Sequence, residues 1–125
     1  MIETKDVEPY LGKNEKALLD LWYDDLLTER VGIGYREATG AVSDLRAIFG
    51  RWWEAHGFRR AVCDDWNYCQ KRKLWDSKAL GMASLADFLA TNCGMKTDGA
   101  LAVAVFLVEY AADVLCGCSD TDTAG

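Results

Sequence analysis

The hydrophobic and polar positions along the chain repeat with the period of an α-helix, and no stretch alternates for long enough to predict a β-strand. The clearest pattern runs from about Arg36 to His56. When successive residues are placed 100° apart, its apolar side chains fall within an arc of about 140°. Gly57 then follows as a typical C-terminal cap residue. This pattern predicts an amphipathic helix that packs one face against the rest of the protein.

Similar patterns predict three more long helices and one short helix. Their ranges are 15–30, 58–75, 84–92 (the short one) and 98–116. Asn14 and Ser84 are the residue types that cap helix N-termini. Residues 76–83 are expected to connect two helices, residues 1–13 to form an N-terminal arm, and residues 118–125 to form a frayed tail. Together they predict a single helical domain spanning residues 1–125.

The last predicted helix, from about Asp98 to Cys116, is apolar on nearly all sides. A helix of this kind must be surrounded by other elements. Its polar stripe contains Glu109 and Asp113, which we expect to mark the side left open to water or to a partner. The predicted fold is therefore an all-α, compact antiparallel bundle of four long helices plus one short helix, with the C-terminal apolar helix central.

The net charge of −6 is unevenly distributed along the chain. Residues 51–78 carry seven Lys and Arg against four Asp and Glu, whereas the segments on both sides are acidic. An acidic protein is disfavoured from binding nucleic acid or anionic membranes non-specifically. The uninterrupted apolar run of the last helix, 100–108, is also shorter than the about 20 residues that a membrane span needs. We therefore expect no membrane association.

The chain has five cysteines, Cys63, Cys69, Cys93, Cys116 and Cys118, and a polar N-terminus without the apolar core of a signal peptide. An odd number of cysteines favours free thiols in a reducing compartment, so the expected location is the cytoplasm. The cysteines lack the Cys-x2-Cys spacing of zinc sites. The sequence predicts no metal site and no cofactor.

The sharpest local motif is Arg51-Trp-Trp-Glu-Ala-His56, which contains the sole histidine of the chain. Its Arg-x4-His spacing resembles the motif of HEPN-type ribonuclease domains, which are small helical bundles. The resemblance implies metal-independent RNA cleavage across a dimer, with Arg51 holding phosphate and His56 moving a proton. The competing interpretation is structural. Helical geometry places the two residues about 140° apart, so His56 would face the core and cap the helix end with its own hydrogen bond.

Residues 51–78 also interleave cations with aromatic rings, a pattern that can bind single-stranded nucleic acid. The alternative is that these cations form a solvated face or pair with acidic parts of the same chain. Asp65 falls among apolar positions, where an unpaired carboxylate would be costly. We therefore expect it to be paired, with Arg72, His56 or an arginine of another helix.

The function that the sequence favours is a non-enzymatic protein-binding module, such as a small inhibitor, an accessory subunit or a phage-encoded anti-defence protein. The chain is short and acidic, lacks a catalytic constellation and is rich in aromatic residues, which are common binding hot spots. The expected partner is another protein, and the expected state is a monomer or homodimer. The candidate partner-binding residues are Trp53, Trp75, Arg59, Arg60, Lys71 and Lys73.

Overall fold

Helices account for all regular secondary structure in the part of the chain that the structure describes, residues 2–29 and 42–118 of a computed structural model. They are α1 (Thr4–Leu11), α2 (Glu15–Glu29), α3 (Val42–Ala55), the π-helix π1 (Arg59–Asp65), α4 (Tyr68–Lys71), α5 (Lys78–Asn92), α6 (Thr97–Phe106), the π-helix π2 (Leu107–Ala111) and α7 (Ala112–Leu115). The predicted all-α class is confirmed, and α2, α3, α5 and the continuous run α6–π2–α7 approximate the four long helices. Arg30, the predicted helical residues 36–41 and the tail residues 119–125 lie outside the described residues.

The apolar helix α6 is central, as predicted. Every residue from Gly99 to Leu107 is buried, because α1, α2 and α5 all pack against this helix. From α3, Phe49 reaches Phe106 with ring centroids 4.9 Å apart. Within residues 2–29 and 42–118, no helix combines the length and hydropathy needed to cross a membrane.

Helices α2 and α3 do not follow the expected antiparallel arrangement. Glu15, the first residue of α2, pairs with Arg46 near the start of α3. Further along α2, Trp22 contacts the rings of Phe49 and Trp52. Contacts therefore advance in the same sense along both helices. The antiparallel expectation does fit α5 and α6, since Lys78 at the start of α5 lies 3.5 Å from Glu109, just beyond the end of α6.

The predicted N-terminal arm contains a helix. The backbone N–H of Glu3 donates to the Asp6 carboxylate at 3.0 Å, which caps the first turn of α1. Val7 is fully buried and anchors α1 to the core. Pro9 lies inside this helix, where its missing N–H removes one backbone hydrogen bond. Burial of the face of α1 that carries Val7 therefore stabilises the helix by more than the proline destabilises it.

The predicted helix 58–75 is wrong as a continuous element. The chain forms the wide turns of π1, breaks at Asn67 and resumes as the four-residue helix α4. Asn67 has a φ of 62°, a left-handed conformation that asparagine tolerates better than most residues. The break lets the two halves of the segment take different directions, which helical periodicity alone could not indicate.

The predicted connector 76–83 is also wrong, because most of it belongs to α5. Ser77, rather than Ser84, is the N-cap, and its hydroxyl accepts a hydrogen bond from the Leu80 backbone N–H at 3.1 Å. Ser84 lies on an exposed side of the helix interior. The predicted short helix is therefore a long one of 15 residues.

Four of the five cysteines form disulfides, so the expectation of free thiols is wrong. Cys63 in π1 bonds to Cys116, and Cys69 in α4 bonds to Cys118. The partners are 53 and 49 residues apart in the chain, and their meeting depends on the fold rather than on local spacing. Cys93 is the free thiol, and burial raises its pKa. Cys118 is therefore tied down, although it was predicted to begin a frayed tail.

Candidate functional site

The two tryptophans predicted to bind a partner occupy different environments, and neither is a free surface group. Trp53 is fully buried at 0% exposure, with its ring stacked against Phe49 and Phe58, so its ring is not available to a partner at the surface. Trp75 is half-buried. Its indole lies directly against the backbone of Gly81. Both rings therefore stabilise the fold.

The four basic residues predicted to bind a partner lie in different environments and make different contacts. Arg59 is held by Glu54 at 3.0 Å and by the Leu115 carbonyl at 2.7 Å. Lys71 is exposed, with its ammonium 4.6 Å from the centre of the Trp66 ring. The Lys73 ammonium is buried and has no hydrogen-bond partner in the described ranges. Arg60 is exposed, and neither Arg60 nor Lys71 forms an ion pair with another described residue.

Arg51 and His56, the residues of the ribonuclease-like motif, are both exposed. The structural interpretation of His56 is half correct. Its Nδ1 lies 3.1 Å from the Trp52 carbonyl, so the ring caps the end of α3, but it does not face the core. Gly57 has a φ of +70°, the left-handed conformation predicted for a helix C-cap. Neither Arg51 nor His56 lines either of the two surface cavities described below.

Asp65, predicted to be paired, is exposed and makes no ion pair or hydrogen bond with the described residues. Its expected partner, Arg72, instead donates to Asp113 at 3.0 Å. Burial, together with the nearby Asp113 carboxylate, raises the pKa of the Tyr68 phenol far above its usual range. The prediction for Asp65 failed because π1 widens the helical turn and moves this residue off the apolar face.

The strongest candidate site is a groove of about 330 Å³ between α3 and the end of the last helical run. We call it the C-terminal groove. Its lining residues are Glu15, Arg46, Phe49, Gly50, Phe106, Tyr110, Ala111, Val114 and Leu115. Phe49 and Phe106 are core residues and form its base. The groove is large enough to accept one or two bulky apolar side chains, although it is at the small end for ligand cavities.

The rim of the C-terminal groove exposes apolar side chains. Val114 is 83% exposed and Tyr110 is 46% exposed, and they are four residues apart on the same helical run. Both residues lie at or just beyond π2, where Ala111 departs from helical geometry with φ −134° and ψ −30°. Single π-helical turns inside α-helices are rare and frequently occur at functional sites. The groove and the backbone irregularity therefore coincide.

The polar end of the C-terminal groove is neutralised. The Arg46 guanidinium donates from two nitrogens to the two oxygens of Glu15, and this bidentate pair raises the pKa of Arg46. A planar pair of this kind fixes both side chains more firmly than a single contact does. The groove therefore presents an apolar base with a fixed, charge-balanced edge.

A second cavity, of about 430 Å³, lies between α1 and the start of α6. Lys5, Asp6 and Asp98 contribute charged groups to it. It lacks the strongly exposed apolar side chains of the C-terminal groove. Among the residues that the structure describes, no group of three or more His, Cys, Asp or Glu side chains is placed to hold a metal ion.

Sequence reasoning did not select Tyr110 and Val114 because they lie on a helix that is apolar on almost every side. Such a pattern predicts burial along the whole helix, and α6 follows that prediction. The signal that could have distinguished the last two turns is the pair Glu109 and Asp113, which interrupts the apolar run there and is exposed in the structure. No protein-family model matches the chain, and no curated protein or solved structure does either.

Proposed function

We propose that the protein is a non-enzymatic protein-binding module, such as a small inhibitor or accessory subunit, that binds its partner through the C-terminal groove. One observation carries the proposal: Tyr110 and Val114 are exposed at the rim of a groove whose base is formed by Phe49 and Phe106. Exposed apolar side chains that adjoin a cavity are typical of protein-binding surfaces. The occupant would be a bulky apolar side chain of the partner protein.

The proposed test compares two substitutions of equally exposed apolar residues. Val114→Glu places a charge at the rim of the groove. Leu74→Glu is the matched control, because Leu74 is 79% exposed but does not line the groove. The full chain, immobilised in its oxidised form, is incubated with an extract of the cells that produce it, and bound proteins are quantified by mass spectrometry.

We expect one or more proteins to be retained by the wild-type chain and by Leu74→Glu and lost with Val114→Glu. Equal retention by both variants would reject the groove as the binding surface. If the captured protein is a second copy of the chain, sedimentation velocity should show a dimer that Val114→Glu converts to a monomer. In that case the groove serves self-association rather than inhibition of another protein.

The location of the protein forms part of the same proposal. The cytoplasmic expectation rests on unpaired thiols and on a polar N-terminus, whereas two disulfides favour folding in an oxidising compartment. Alkylation of free thiols in intact cells, followed by mass spectrometry, distinguishes the two locations. One alkylated cysteine, Cys93, is expected for an oxidising compartment, and five alkylated cysteines for the cytoplasm.

A further inference from the structure

The two disulfides both fasten the last segment of the described chain, residues 112–118, to π1 and α4. They join positions that are six residues apart on one side, Cys63 and Cys69, and two apart on the other, Cys116 and Cys118. Leu115, which lines the C-terminal groove, directly precedes Cys116. The covalent fastening therefore lies beside the wall of the groove.

The non-covalent contacts of this segment involve mostly half-buried or exposed groups. In α7, Ala112 is buried whereas Asp113 and Val114 are exposed. The ion pair of Arg72 with Asp113 joins a guanidinium that is 20% exposed to a carboxylate that is 58% exposed, and the Leu115 carbonyl accepts from the exposed Arg59. Contacts of this kind contribute little on their own. Ala112 belongs to the core, and Leu115, Cys116 and Cys118 pack against it while half-buried, so the disulfides reinforce a segment that has few fully buried side chains.

The core around α6 does not depend on the disulfides in the same way. The helices that enclose α6 are α1, α2 and α5, and none of them carries a bridged cysteine. All four bridged cysteines are half-buried, so a small reductant can approach them. The bridges can thus be opened while the packing around α6 remains.

We propose that the two disulfides form a redox latch that builds the C-terminal groove in the oxidised protein and dismantles it on reduction. The reductant is a dithiol. One of its thiolates attacks a bridge sulfur and forms a mixed disulfide, and its second thiol then displaces the protein thiol. Each bridge takes up two electrons and two protons and becomes two cysteine thiols, while the dithiol becomes a disulfide. Residues 112–118 are then released and the groove loses the wall at Leu115.

Hydrogen exchange on the full chain tests the latch without any partner. The oxidised protein is compared with protein reduced by dithiothreitol, and also with a variant in which all four bridged cysteines are replaced by serine. Cys93→Ser is the matched control, since it removes a thiol but leaves both bridges. We expect reduction and the fourfold variant to accelerate exchange in residues 112–118 by at least ~10-fold, with little change in residues 100–105 of α6.

Two results would overturn the latch. Unchanged exchange in residues 112–118 after reduction would show that other contacts hold the segment. Equal acceleration in residues 100–105 would show that the bridges support the whole fold and do not control one segment. The use of the latch to control binding depends on the proposed function, but the exchange measurement does not. If Val114→Glu retained as much protein as the wild-type chain in the capture experiment, the proposed function would be rejected, whereas the redox latch would be unaffected.

Discussion

Gly81 provides a sensitive test of the packing that the structure assigns to Trp75. This glycine is buried in the first turn of α5, and a Cβ atom added to it would overlap the Cδ2, Cε2 and Cε3 atoms of the Trp75 indole. The indole is itself confined by Trp66, at 6.2 Å between ring centroids, and by Tyr68, at 5.8 Å. Gly81→Ala must therefore displace the ring or move α5.

The expected magnitude follows from two opposing effects. Alanine is favoured over glycine inside a helix by up to about 1 kcal/mol. If the ring moves out, it returns on the order of 100 Å² of apolar surface to water, which costs about 2.5 kcal/mol. The overlap therefore outweighs the helix propensity. We expect Gly81→Ala to lower the free energy of unfolding by about 1–2 kcal/mol, within the range usual for overpacked cores.

Gly50→Ala is the matched control for this substitution. Gly50 also lies within a helix, α3, but a Cβ atom there would meet nothing within 4 Å. The same change of residue should therefore raise the free energy of unfolding by about 0.5–1 kcal/mol. The two glycines should thus respond with opposite signs.

Urea denaturation of the oxidised protein, followed by circular dichroism, measures both effects on one scale. Replacing Trp75 with alanine should abolish the penalty of Gly81→Ala, because the overlapping ring is then absent. The reasoning fails if Gly81→Ala stabilises the protein as much as Gly50→Ala does, or if its penalty persists without the Trp75 ring.

Three further predictions follow from the core, the bridges and the buried phenol. Trp53→Ala should lower the free energy of unfolding by about 3–5 kcal/mol, as for other buried aromatic residues; a loss below about 0.5 kcal/mol in urea denaturation, the range of surface sites, would contradict its burial. Replacing Cys63 and Cys116 together by serine should lower the free energy of unfolding by about 3 kcal/mol. The Cys69–Cys118 bridge still closes the long loop, so the lost bridge had closed only a further ring of about ten residues. A calorimetric loss of stability as large as that caused by reducing both bridges would contradict this. The raised pKa of Tyr68 means that the folded state retains its phenolic proton after the unfolded chain has lost it, so stability should fall as the pH rises above about 10; Tyr68→Phe should lose less stability between pH 8 and pH 11, and equal losses would refute the assignment.

The fold class could be predicted from the sequence because its main determinant is local periodicity. The apolar residues of α6 leave no polar face, so this helix had to be central whatever the connections between helices. Periodicity could not locate the break at Asn67, because the apolar residues before and after it keep the spacing of one continuous helix. It also could not give the relative direction of α2 and α3, which is visible in long-range contacts such as Glu15–Arg46.

The candidate site was less predictable than the fold. Aromatic residues served as the sequence signal for binding, yet Trp53 fills the core and Trp75 packs against Gly81. Burial of a tryptophan is a property of the assembled structure, because the same side chain suits a core and an interface equally well. The groove residues Tyr110 and Val114 instead resembled core positions. The pairing of cysteines 49 and 53 residues apart likewise had no local signal.

The positions of the disulfides also determine how the protein responds to mechanical force. A load applied to the two chain ends passes from π1 and α4 to residues 116–118 through the sulfur atoms of the two bridges, and residues 70–115 carry no tension. At roughly 3.6 Å per residue, this shields about 165 Å of contour length from extension. Under load, α3 can be pulled straight, whereas α5 and α6 belong to a closed covalent ring. The most hydrophobic helix of the protein therefore stays within a short tether even when the rest of the chain is stretched, and this restricts the distance over which it can reach a neighbouring molecule.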